Sequence, residues 1–461
     1  MAGLTANVGV ASSTNVRLVR DINPGASNAL RAGFQPPSFL TAVRSTLFFV
    51  AKDGVHGWEL WKTNGTRAGT VLVKDINPSG SSNPGGPGGA FPGAPISLGR
   101  TLFFPADDGV HGFELWKTDG TRVRTTLVKD INRASSSAPC LLTRVGRTLF
   151  FEANSKLPRF GGTQLWKSDG SRAGTVLVKS FAEPSDFTYS SCYQLAGLTP
   201  MGRTLFFEGD DGVHGTELWK SDGTKAGTSM VKDIDPAGPT SLNYVHGLTN
   251  VEETLFLSAN DGTHGKELWK SDGTKAGTVM VKDISPSDGS EPFNLTEVGG
   301  TLFFVADDGV HGFELWKSDG TETGTVMVKD VNATGSSYPA GADIGGTLFF
   351  SADDGVHGSE LWKSDGTDAG TLMVKDINPS GGSGPFYVTD VGGTAFFFAD
   401  DGRHGYELWE SDGTKTGTMV VTDIIVDTTN VWRGLEMAEA GGILFFSADD
   451  GVHGLELWKA R

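Results

Sequence analysis

Residues Thr301 to Val331 read TLFFVADDGVHGFELWKSDGTETGTVMVKDV, and the way this phrase divides decides the fold. Three runs in it, TLFFVA, FELWKS and TVMVKDV, have the aromatic and β-branched composition of strands. DDGVHG and DGTETG separate them, and the Asp319-Gly320 step is a hairpin signal, because glycine takes the positive φ that a tight turn demands. Upstream, Asn294 to Val298 (NLTEV) is a fourth run, set off by Gly299 and Gly300. One unit therefore predicts four antiparallel strands.

The phrase recurs along the chain. Trp61, Trp116, Trp166, Trp219, Trp269, Trp316, Trp362, Trp409 and Trp458 each sit in an E-L-W or Q-L-W triplet, 46 to 55 residues apart. A sheet whose strands are apolar on both faces cannot bury both alone, so neighbouring units must stack against it. Radial stacking of four-stranded blades is the β-propeller solution, and it uses repeats of this length. The ends carry the phase. The chain finishes at Trp458-Lys459-Ala460-Arg461 having supplied only the first three strands of a ninth unit, whereas Asn15 to Ile22 (NVRLVRDI) matches the fourth strand of the others, as in Val71 to Ile76. The expectation is an all-β chain forming one domain over 1–461, a nine-bladed propeller. Its last blade combines about 433–461 with 14–22, so that the N-terminal strand closes the ring without a bare edge.

Composition agrees. The chain has 65 Gly, 28 Phe and 11 Trp, which suits many short strands joined by tight turns. The 38 Lys and Arg against 55 Asp and Glu give a net charge of −17, which argues against a nucleic-acid groove, since phosphates need a positive field. No run of about 18 apolar residues is present, so no membrane span is expected. Met1 to Ser13 has neither a basic segment nor an apolar run and does not read as a signal peptide. Either an intracellular life or an export signal absent from this sequence follows. Cys140 and Cys192 occupy corresponding connections of neighbouring units, which admits either a disulfide between blades or two separate thiols.

The repeated phrase ELW-(K/E)-(S/T)-(D/N)-G-T resembles the ELWxxDGT-type repeat of bacterial, especially myxobacterial-type, secreted or surface proteins. It covers essentially the whole chain and marks a repeat without naming a chemistry. The resemblance implies export and an extracellular or cell-surface life. Residues 152–164, EANSKLPRFGGTQ, depart from it, with Gln164 in place of the usual Glu.

In a four-stranded blade the second-to-third loop shares a face with the links between blades. The DDGxHG loops and the variable links are therefore expected together, opposite a uniform face of Gly-Gly and DGTxxGT turns. Eight histidines recur in those loops: His56, His111, His214, His264, His311, His357, His404 and His453. Each follows an aspartate by three residues and precedes a glutamate by three. Three readings stand. Histidine and carboxylate pin the loop by bonding backbone groups. Alternatively the carboxylates, such as Asp108 with Glu114 and Asp308 with Glu314, hold calcium, although the D-x-D-x-D spacing of calcium loops is absent. The third is a ligand pocket in every blade. Eight copies argue against catalysis, which needs one asymmetric constellation.

Beside each histidine one position varies: Trp58, Phe113, Thr216, Lys266, Phe313, Ser359, Tyr406 and Leu455. Recognition differs between blades at such a position, or else it is exposed and tolerant. The repeating Trp reads as interblade core sooner than as a sugar-stacking residue. Irregularity gathers in the long links Asn77 to Pro95 and Phe181 to Pro200, the latter with Phe187, Tyr189 and Tyr193. The function expected is a non-enzymatic binding protein, either a multivalent glycan-binding propeller or a cell-surface adhesion module. An enzyme with one site near the central channel on the variable face, and a scaffold for protein partners, are the alternatives.

Overall fold

The computed structural model describes residues 15–24, 40–86, 93–155, 163–181, 195–236, 240–241, 247–422 and 436–460. Among these the chain is all β, with nine blades of four antiparallel strands, the fourth blade adding Thr240–Ser241 parallel to its third strand, and no helix is long and apolar enough to cross a membrane. The sixth blade is representative: Phe293–Val298, Thr301–Asp307, Phe313–Ser318 and Val326–Lys329. The fourth strand is shorter than TVMVKDV suggests. At Val331 the backbone leaves the ladder and its N–H donates instead to the Glu314 carboxylate at 2.9 Å.

Alternation along the strands builds the ring. Leu302, Phe304, Ala306 and Trp316 face back onto the fifth blade and pack with Phe256, Leu268 and Val281. Phe303, Leu315 and Val328 face forward and pack with Leu348, Phe350 and Trp362 of the seventh. A register shift between Leu315 and Trp316 against the fourth strand recurs at the same step in other blades. Nine such clusters exist, one for each blade interface. Each buried Phe contributes about 2 to 3 kcal/mol by leaving water. The repeated Trp side chains described in these clusters are core, as expected; Trp316 is 6% exposed.

Lysines rivet neighbouring blades. Lys282 of the fifth blade stands 5.8 Å from the Trp316 ring of the sixth and donates to the Thr325 carbonyl at 2.9 Å. Lys74, Lys129, Lys232 and Lys375 repeat this arrangement.

The ring closes as the two ends predict. Arg17–Leu18 pairs antiparallel with Leu455–Ala460, completing the sheet that holds Met437–Ala440 and Ile443–Asp449. Val19 N–H donates to Leu457 O at 3.0 Å. Across the seam Arg20 stands 5.9 Å from the Trp61 ring and donates to the Thr70 carbonyl, taking the place lysine holds elsewhere. The innermost strands touch in an unbroken cycle that includes the contact of Thr41–Val43 with Met437–Ala440. Nine blades stand around one axis.

Candidate functional site

The DDGxHG loops are built from their own carboxylates. In the sixth blade Asp307 Oδ1 accepts from Gly309 N–H at 2.7 Å, and Asp308 Oδ1 accepts from the N–H of Val310 and of His311, both at 2.9 Å. The other Asp308 oxygen lies 2.8 Å from His311 Nδ1. That nitrogen must carry a proton to bond a carboxylate, so the imidazole turns Nε2 away from the pair. All eight loops repeat the Asp–His contact, at 2.7 to 2.9 Å. The bond to aspartate raises seven of the histidines above their ordinary value, against a smaller loss from burial. Burial works to raise Asp308, but the donors around it outweigh that and hold it low. Gly309 at φ +79° and Gly312 at φ +75° supply the turns, and a Cβ on Gly312 would fall 2.7 Å from Ser336 Oγ of the link.

The glutamate belongs to the frame. Glu114 is fully buried, and four donors meet its oxygens: the N–H groups of Ile131, Asn132 and Ser137 and the Ser137 hydroxyl. Burial pushes its carboxyl up to about 7, and those donors pull it back only partly. Glu314 bonds Val331, Asn332 and Ser337 in the same way. The oxygens of Asp108, Glu114, Asp308 and Glu314 are thus engaged by N–H and O–H donors, an arrangement that pins backbone and does not fit calcium. The oxygens left without a partner nearby are Asp130 Oδ1 and Asp330 Oδ1. Asp401, His404 and Glu407 bring one ligand atom each within 4.8 Å of the others, but Asp401 already accepts from Arg403 and His404.

The variable position is half-buried and not freely exposed, because it opens the third strand and packs sideways. Phe313 lies 5.4 Å from Phe293 and 5.6 Å from Tyr338; Tyr406 lies 5.2 Å from Phe386; Lys52 stands 5.1 Å from Trp58. Phe113, Thr216, Lys266, Ser359 and Leu455 are half-buried too. The exposed neighbour is the loop valine: Val310 is 80% exposed, as are Val55, Val110, Val213, Val356 and Val452 to within a percentage point.

Sequence reasoning missed three further features. Tyr338, 59% exposed, and Tyr387 hold left-handed backbone at φ 47° and 54°, which puts aromatic surface on the link after the sixth blade and on the first strand of the eighth. No sequence signal marks that conformation. Glu152 and Glu208 are buried in the second strands of blades three and four, where others carry Val50, Pro105, Ser258, Val305 or Phe398. Burial raises Glu208 well above the ordinary carboxyl range, and its Oε1 has no partner. Misalignment with the apolar consensus would have found both. The face of Gly-Gly and DGT turns, expected to be uniform, is not, since exposed arginines stand in the turns of blades one to four.

In the third blade Gln164 Oε1 accepts from Ser155 N–H and Trp166 Nε1, so the departure from the phrase brings a different bonding pattern. Cys140 is buried and disulfide-bonded. Cys192, Tyr189 and Tyr193 lie outside the described residues.

No family model matches the chain, and no curated protein matches it. Among solved structures it is similar to a puromycin hydrolase at 13% identity and TM-score 0.42, covering 92% of this chain and 61% of that one. It is also similar to the β-propeller domain of the Trilobed protease from Pyrococcus furiosus, at 11% identity and TM-score 0.36, over 71% and 96% of the two chains. A third likeness is prolyl oligopeptidase B from Galerina marginata, at 12% identity and TM-score 0.43, over 78% and 54%. The chain thus spans about three-fifths of the hydrolase and half of the oligopeptidase.

Proposed function

We propose that the protein is a non-enzymatic, multivalent binding propeller whose loop face takes glycans of a cell surface. One observation carries the reading. Eight loops offer the same group, an imidazole anchored through Nδ1 and about 38% exposed in His311. In six of them a bare valine stands beside it. A hydrogen-bonding ring edge beside apolar surface suits a sugar, whose hydroxyls and C–H faces alternate. Aromatic neighbours such as Phe313 with Tyr338 widen the platform in some blades. Weak sites repeated around a ring gain affinity through avidity, not through depth. The ELWxxDGT-type resemblance supports a surface location.

The test is stoichiometry. Hits from a neutral-glycan array, titrated calorimetrically as monovalent oligosaccharides, are expected to bind at several equivalent sites per chain. His311→Ala with Val310→Ser should remove one site and leave the others. A single site at the channel mouth would sink the reading.

The rival enzyme reading has Glu208 in its favour, a buried carboxyl in the irregular sector whose Oε1 has no partner. At 2% exposure it is closed to a substrate, and the binding reading is the stronger.

A further inference from the structure

The turns joining first and second strands form the inner rim of the face opposite the histidines. Blades six to nine close them with glycine pairs: Gly299-Gly300, Gly345-Gly346, Gly392-Gly393 and Gly441-Gly442. Blades one to four do not. Their turns carry Arg44, Arg100, Arg147 and Arg203, and Arg144 in the innermost strand of blade three adds a fifth. All five are exposed. The ion pairs between non-histidine side chains among the described residues, Arg124–Asp119, Lys266–Glu291 and Lys329–Asp368, use none of them.

The remainder of the rim has the opposite sign. Blade five turns through Glu252 and Glu253, and Glu297, Asp343, Asp390 and Glu439 follow in blades six to nine, each accepting from a glycine N–H of its own turn. In a chain of net charge −17 the exposed arginines of this inner rim thus sit together on one arc. The arc also holds a cavity of 310 Å³ between blades one and two, lined by Arg44, Lys62 and Arg100 with Phe48 and Asp119. Lys117, Lys220, Lys270 and Lys459 donate to a glycine carbonyl of the next blade, whereas Lys62, like Lys167, Lys317 and Lys363, shows no such bond.

We propose that this arc binds an acidic polysaccharide, with its carboxylate or sulfate groups on successive arginines and the cavity between blades one and two as the anchoring subsite. A planar guanidinium matches either group in a two-pronged contact. Successive blades carry one turn arginine each, which suits a polymer whose charges are set a sugar apart. Duplex DNA, with one charge about every 1.7 Å of axis, would carry its dense field onto the acidic half of the rim and an acidic body. The proposal shares only the ligand class with the glycan reading above and uses the other face, so either stands if the other falls.

The variants follow from the repeat itself. Arg100→Gly, Arg147→Gly and Arg203→Gly install the glycine pair that four other blades already use, so folding is not at stake. Binding of alginate and of dextran sulfate to the full chain, measured by calorimetry with neutral dextran as control, is expected to weaken about tenfold or more in the triple variant. It should also weaken as salt rises, while melting temperature and neutral-oligosaccharide binding at the loop face stay unchanged. Alginate alone binding would assign carboxylates; dextran sulfate alone would assign sulfate esters. The proposal is overturned if the triple variant binds both polymers as the wild type does. Equal binding of neutral dextran, or binding of poly-glutamate or duplex DNA in place of both polysaccharides, would overturn it too. So would loss of a ring-to-ring dimer as the variant's only change.

Discussion

Glu114 and Asp108 lie six residues apart and do different work. The glutamate is buried under four donors, so Glu114→Gln turns an amide NH₂ toward N–H groups that need an acceptor. That substitution should cost about 2 kcal/mol or more, read from urea unfolding of the full chain. Asp108→Asn keeps an acceptor for the loop amides and should cost about 0.5 to 1 kcal/mol. The Asp–His pairs also set a pH window. Seven histidines are raised, so their contribution is complete below about 6.5 and is lost as pH rises through the folded values. The aspartates are depressed, so theirs is complete above about 4 and is lost as pH falls through the folded values. The loops should therefore be tightest between about pH 4 and 6.5, with slowest amide exchange at Val310 and His311 in that range once intrinsic rates are divided out. Glu208 is raised, so its contribution is present below the ordinary carboxyl value and is lost as pH rises through the folded one. Glu208→Gln should melt higher than wild type at pH 8 and equally at pH 4; a lower melt at pH 8 would refute the burial argument.

At the scale of the blade, the interface is a Trp covered by a cation from the neighbour. Lys282→Met keeps the aliphatic stem but loses both the ammonium over Trp316 and the bond to Thr325. It should cost about 1 to 2 kcal/mol by the same unfolding measurement. Strand positions were legible because glycine and aspartate punctuate the repeat and the apolar runs alternate. The end of the fourth strand was not legible, because Val331 leaves the ladder for a carboxylate seventeen residues back in the chain. The histidine loop was half legible. Its spacing announced a contact, but whether the carboxylates served backbone or metal depended on where the amides of the link pointed. Tyr338 could not be read at all, since its exposure follows from a φ that its residue type disfavours. The arginine arc was in plain view as four replaced glycines, yet only the ring brings them onto one rim.

For the whole molecule, Arg17–Leu18 completes the ninth blade beside Leu455–Ala460, and the interface it brings against the first blade follows the plan of the others with Arg20 in the place of lysine. Removing residues 1–24 should leave Leu455–Ala460 as an open edge, lower the melting temperature and produce self-association visible by light scattering. A synthetic peptide of residues 15–24 should restore both, by adding back the missing strand. A truncated chain that stays monomeric and melts as before would show that the seam does not hold the ring.

The seam also joins residues far apart in time. Ile22 N–H bonds Glu456 across 434 positions of chain, so Arg17–Leu18 is made long before the strand that it pairs with. On a ribosome adding about 5 to 20 residues each second, that wait is on the order of half a minute or longer. Until then Arg17–Leu18 is a ribbon without the strand that it pairs with. A second nascent chain on the same messenger could offer that ribbon a berth before its own tail emerges. Exchange between sister chains is thus the characteristic error of this architecture, and slow translation favours it.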